Sequence, residues 1–118
     1  MILSALLLAT AQAADADPDC GSEELAQIEL NWCAWKGAEE ADAELNLLWD
    51  RIGGDMRARM LPSQRAWLAY RDAQCEAEGK MWEGGSAHSM IVGMCMERMT
   101  RARMTEIRNS HPEGPDSY

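Results

Sequence analysis

Apolar residues recur at helical spacing through most of this chain. Leu25, Ile28, Trp32 and Trp35, then Leu45, Leu48, Trp49 and Ile52, trace a first helix that Ser22 is placed to cap. Gly53-Gly54 weakens or breaks it, and Asp55 restarts it with Met56 and Met60 apolar. Pro62 suits the first turn of a second helix, which runs through Trp67 and Cys75 to Trp82. Residues 83–89, Glu-Gly-Gly-Ser-Ala-His-Ser, read as a loop on their turn chemistry. A third helix starts near Ser89, places Met90, Ile91, Met94 and Met99 at apolar positions, and ends near Arg108. Residues 110–118 read as a disordered, frayed tail. No stretch alternates with the period of a strand, and there is no internal repeat. The expected fold class is all-α: a small three- to four-helix antiparallel bundle over residues 20–109.

One face of the second helix carries a charge. Gln64, Trp67, Leu68, Arg71 and Cys75 share that face, so a guanidinium lies beside a tryptophan and a cysteine. Burying a charge is expensive unless it is paired and hydrogen-bonded, so a partner must lie elsewhere in the chain. Extending the seam of Ile28, Trp32 and Trp35 by heptads reaches Glu39, Asp42, Asn46 and Trp49. Asp42 and Asn46 thus fall where an apolar stripe belongs, and they are the expected partners of Arg65 or Arg71, with Asp72 adding a further charge. The commonest role of such a network is structural: it sets how two helices register.

The chain opens on an apolar run, Met1 to Thr10, followed by Ala11-Gln12-Ala13, which fits a small-x-small cleavage site. Residues 1–13 read as a secretory signal peptide, too short for a permanent anchor, although only the terminal amine supplies positive charge ahead of the run. No cysteine follows closely enough for lipidation, and no other stretch is long enough to span a bilayer. The expectation is a periplasmic or secreted protein without a stable membrane anchor.

Export makes Cys20, Cys33, Cys75 and Cys95 candidates for two disulfides. Folding the second and third helices into a hairpin about residue 85 brings Cys75 level with Cys95. That bridge would contribute roughly 3 kcal/mol on the chain-entropy model. Cys20–Cys33 follows by elimination, but only if the first helix starts later than Ser22, because a straight helix from there carries Cys33 too far away. Zinc is the rival use of four cysteines; no Cys-x-x-Cys pair exists and the spacings fit no common finger.

The net charge is −9, from 20 acidic against 11 basic residues. It argues against nucleic acid and anionic membranes as partners and is compatible with a basic protein. Two histidines, one in the tail, make a poor general-base inventory, so no catalytic residues, cofactor or enzyme activity are expected. Met90, Met94, Met96, Met99 and Met104 leave a copper-binding or structural module as the alternative, since thioethers suit Cu(I), although methionine filling a core without phenylalanine explains them as well.

A set of residues then resembles a known family. Ala41-Asp42-x-Glu44-Leu45-Asn46, Gln64-Arg65-Ala66-Trp67-x-x-Tyr70-Arg71-Asp72-Ala73-x-Cys75, Gly84-Gly85-Ser86 and Cys95-x-x-x-Met99-Thr100-x-x-Arg103 are similar to the LprI-type lysozyme inhibitor domain, a small exported helical domain of bacteria. The Gly53-Gly54 break departs from the continuous helix expected there. The resemblance implies a protein partner, a lysozyme. Lysozymes of the common animal type are basic, with two carboxyl groups in the cleft, so an acidic inhibitor gains on-rate by steering. The expected contact is the interhelical loop, with Gly84 and Gly85 shaping it and Ser86 and His88 as donors, although a tight turn needs such glycines in any case.

Overall fold

The computed structural model describes residues 16–118, so the expected signal peptide lies outside the described residues. Three helices, α1 (Gln27–Arg51), α2 (Gly54–Lys80) and α3 (His88–Asn109), precede a 3-10 turn at Pro115–Ser117, with no strand among the described residues. The fold is the expected all-α bundle, and it carries both disulfides, Cys20–Cys33 and Cys75–Cys95. α1 and α3 run side by side in the same direction, as the Gln27–Met90 and Glu44–Arg101 contacts show. α2 returns antiparallel to both. α1 and α2 each pack on α3 and barely touch one another.

α1 starts later than Ser22. The Ser22 hydroxyl accepts the Glu24 N–H at 3.1 Å, and Ser22 N–H bonds the Asp19 carbonyl at 3.0 Å, so this serine caps a turn instead. The helix begins where Glu29 reaches back to the Ala26 N–H at 2.8 Å, half of a capping box. The preceding arm folds back along α1, which is what brings Cys20 to Cys33.

α1 buries Ala38, Ala41, Leu45 and Leu48, with Ile52 capping its end; the expected apolar positions Leu45, Leu48 and Ile52 are buried, whereas the heptad seam through Trp32, Trp35, Asp42 and Asn46 lies one face over. The reason is close approach. A Cβ at Gly93 of α3 would sit 3.0 Å from the Ala34 carbonyl carbon and 3.1 Å from the Trp35 nitrogen. Only small side chains fit between backbones that near, so Trp32 and Trp35 stand at the rim, each 38% exposed.

Gly53 breaks the chain between α1 and α2 with φ +85°, a conformation L-residues rarely adopt. Arg57 then folds back and donates to the Trp49 and Asp50 carbonyls at 3.3 and 2.9 Å, satisfying acceptors that the end of α1 would leave open. α2 does not wait for Pro62, which lies inside the helix. Met56 and Met60 pack against the core from the turns before it, and that burial offsets the hydrogen bond Pro62 cannot make.

The apolar core is Leu45, Leu48, Ile52, Trp67 and Ile107, gathered at the Gly53 end. Where the sequence predicts a frayed tail, the chain instead turns at Gly114, sets Tyr118 on this core, and stacks it edge-on to His111 with 4.6 Å between ring centroids.

Candidate functional site

Three layers lie along α3 beyond the core. The first is polar. Gln64 and Trp67 of α2 are buried, and the Arg71 side chain keeps 13% exposure. Arg71 Nη1 donates to Asp42 Oδ1 at 3.0 Å and to Thr100 Oγ1 at 3.3 Å, and its Nε donates to Asp72 Oδ1 at 3.2 Å. One guanidinium therefore ties α2 to both other helices. Arg103 of α3, which sequence reasoning did not single out as buried, donates from Nε to Gln64 Oε1 at 2.8 Å, with Ser63 and Glu106 each at 3.2 Å. Trp67 lies within reach of both cations, with Arg71 Cζ 5.2 Å and Arg103 Cζ 5.9 Å from its ring centroid. Asn46 and Arg65 are exposed and stand outside this layer, because the α1 seam runs through Leu45 and Leu48; Leu68 sits at the exposed edge.

The second layer is sulfur. Cys75 and Cys95 are fully buried, and Met99 Sδ packs 3.8 and 3.9 Å from their sulfurs. Glu78 Oε2 lies 3.1 Å from Cys95 Sγ, a packing contact, since a disulfide sulfur carries no proton. The hydrogen bond from the Arg98 guanidinium, helped by the Gln74 amide, holds the Glu78 carboxyl below the usual carboxylate range.

The third layer is open. Because α1 and α2 do not close on each other, a groove runs over α3 between them. Its lower chamber, about 340 Å³, has His88, Val92 and Met96 as floor, and Asp72, Glu76, Lys80 and Glu83 as the α2 side. Its upper chamber, about 130 Å³, continues across Met96 to Thr100, between Arg71 and the α1 residues Trp35, Glu39 and Asp42. Five carboxylates thus face two cations, and the Arg71 charge is already held by Asp42 and Asp72.

The loop expected to meet a partner caps this end. Gly84 takes φ +79°, and Gly85 N–H closes a turn on the Trp82 carbonyl at 3.0 Å. Asn31 of α1 donates to the Ser86 carbonyl at 3.1 Å, and the Trp35 indole N–H donates to Ser89 Oγ at 2.9 Å, so α1 holds the loop in place. Ser86 is exposed, whereas His88 is half-buried in the groove floor. Met81 and Trp82 stand out beside it, 82% and 47% exposed. Sequence reasoning gave no site role to Glu76, Glu83 or Val92, and met Glu39 only as a seam position and Met96 only as a candidate copper ligand; the available signal was Asp72, Glu76 and Glu83 at helical spacing along and just past the second helix. The methionines do not converge: Met90 meets Gln27, Met99 covers the disulfide, Met104 joins the core and Met94 is exposed. No described helix is long and apolar enough to cross a membrane.

The family model described as "Lysozyme inhibitor LprI" matches residues 19–107. An uncharacterised protein of Rhizobium meliloti is 37% identical over a 125-residue alignment that covers 90% of this chain and 89% of that protein. No solved structure matches. The matched span takes in both disulfides, the arginine layer, the groove and the loop, and the chain belongs to the LprI lysozyme-inhibitor family.

Proposed function

We propose that this protein is a periplasmic or secreted inhibitor that binds a basic lysozyme and blocks its cleft. The observation that carries the reading is the family match across all three helices. Its chemistry agrees. A net charge of −9 steers a cationic enzyme toward the protein. Two disulfides suit an oxidising compartment, where a small core needs staples. The working end is the loop end, where α1 holds the Gly84-Gly85 turn, Ser86 is exposed as a donor, and His88 joins the loop to the groove. The scattered thioethers favour no copper site.

The test is the clearing of a cell-wall suspension by lysozyme, followed by turbidity. The disulfide-intact protein is expected to slow clearing in proportion to its concentration until it reaches equivalence with the enzyme. Undiminished clearing at excess protein, across several lysozyme classes, would sink the proposal.

A further inference from the structure

We infer that the groove over α3 is the seat for a cationic segment of the lysozyme surface, one that presents lysine or arginine side chains. The inference rests on the inhibitor reading and adds the contact surface to it. Three features select this occupant. Glu39 and Asp42 on α1 line the upper chamber, and Asp72 and Glu76 on α2 with Glu83 just past its end line the lower one, so an incoming cation meets carboxylates along the length of the groove. Arg71 offsets part of the Asp42 and Asp72 charge and Lys80 stands among the others, so five carboxylates against two cations leave the lining net negative, with Glu39, Glu76 and Glu83 outside the Arg71 pairing. The floor is apolar at Val92 and Met96, which matches the alkyl stems of lysine and arginine while their charged heads reach the rim. Methionine adapts its shape to such stems.

The groove is also built to stay open. The close α1–α3 contact at Gly93 and the buried Cys75–Cys95 bridge fix both walls onto α3 independently, and among the described residues no side-chain hydrogen bond or ion pair joins α1 to α2 below the Arg71 layer. A partner segment therefore enters without first separating packed helices, which lowers the ordering cost of binding.

The experiment compares two double charge reversals in the full disulfide-bonded protein. Glu76→Lys with Glu83→Lys changes the groove wall. Asp50→Lys with Glu113→Lys makes the same change in net charge on exposed residues outside the groove lining. Affinity for a basic c-type lysozyme is measured by calorimetry at low salt, with circular dichroism confirming helix content. The groove pair is expected to weaken binding by about tenfold or more and the distal pair by less than about threefold, since net charge alone acts mainly on association rate. Equal weakening by both pairs would overturn the groove and leave only general steering. If the unaltered protein binds no lysozyme, the inhibitor reading fails, and the groove is judged separately. The ¹⁵N-labelled protein is then titrated with a synthetic amphipathic lysine–leucine peptide. Amide shifts centred on Glu76, His88, Val92 and Met96 support the groove as a cation seat; shifts elsewhere, or none, overturn it.

Discussion

Replacing Gln64 and Arg103 by alanine, singly and together, isolates the interaction at the centre of the polar layer. Arg103 Nε donates to Gln64 Oε1 at 2.8 Å, and the two residues are 7% and 9% exposed. Arg101 Nη1 donates to Glu44 Oε2 at the same 2.8 Å, but those side chains are 44% and 50% exposed. Distance alone ranks the two pairs equal, and charge ranks the second higher, because both of its groups are ionised. Burial reverses the order. A hydrogen bond to a charged group shielded from water contributes about 1.5–3 kcal/mol, whereas an exposed ion pair contributes about 0.2–1 kcal/mol. Ser63 and Glu106 still engage Arg103 when Gln64 is lost, so the lower part of the first range applies, about 1.5–2 kcal/mol. Urea denaturation of the four proteins in each cycle, with disulfides intact, gives the two coupling energies; guanidinium is avoided because it screens the surface pair. A coupling for Gln64–Arg103 no larger than that for Glu44–Arg101 would refute the reasoning that burial, not length, sets the strength of this layer.

Other consequences are as direct. Gly93→Ala is expected to destabilise the protein by about 1–3 kcal/mol through overpacking against the Ala34–Trp35 backbone, while Gly54→Ala at the start of α2, where the added Cβ meets only the Arg57 guanidinium at an ordinary 3.9 Å, stabilises it by up to about 1 kcal/mol; thermal melts of the two variants should move in opposite directions. Replacing both Cys75 and Cys95 by alanine should cost about 3 kcal/mol or more, since loop entropy and a buried contact are both lost, and replacing Cys20 and Cys33 should cost less, because that bridge ties down only an exposed arm; urea midpoints check the order. The Arg98 hydrogen bond lowers the folded-state pKa of Glu78 below that of an ordinary glutamate, so the pairing contributes fully above the unfolded pKa and is lost as pH falls through the lower folded one. Melting temperatures of the protein and its Glu78→Gln variant should therefore converge on acidification, by a small amount because the pair is exposed to solvent.

Much of this architecture can be read from particular residues. Arg71 announces itself as a charge on an apolar face, and Asp42 answers it because long arginines can cross the gap between α2 and α1. Cys75 and Cys95 follow from the position of the glycine loop. Other elements are decided by packing that periodicity does not encode. The α1 seam shifts by one face because Gly93 lets the backbones approach, which favours alanines over tryptophans at the contact. Ser22 resembles a helix cap but closes a turn, and the effective signal was Glu29. Pro62 looks like a helix start, yet Met56 and Met60 gain enough burial to carry the helix through it. Arg103 occupies a core stripe with Thr100 and Ile107 and was open to the reasoning that found Arg71. The groove was hardest to see, since it exists only because two helices pack on a third and not on each other.

The claim that the protein works by seizing a basic lysozyme is tested most directly by calorimetric titration of the disulfide-intact chain with that enzyme at two salt concentrations. A one-to-one complex is expected, with affinity falling steeply as ionic strength rises past about 0.1 M, where the screening length is about 10 Å. Absence of a complex with every lysozyme class at low salt, or an affinity that salt leaves unchanged, would contradict it.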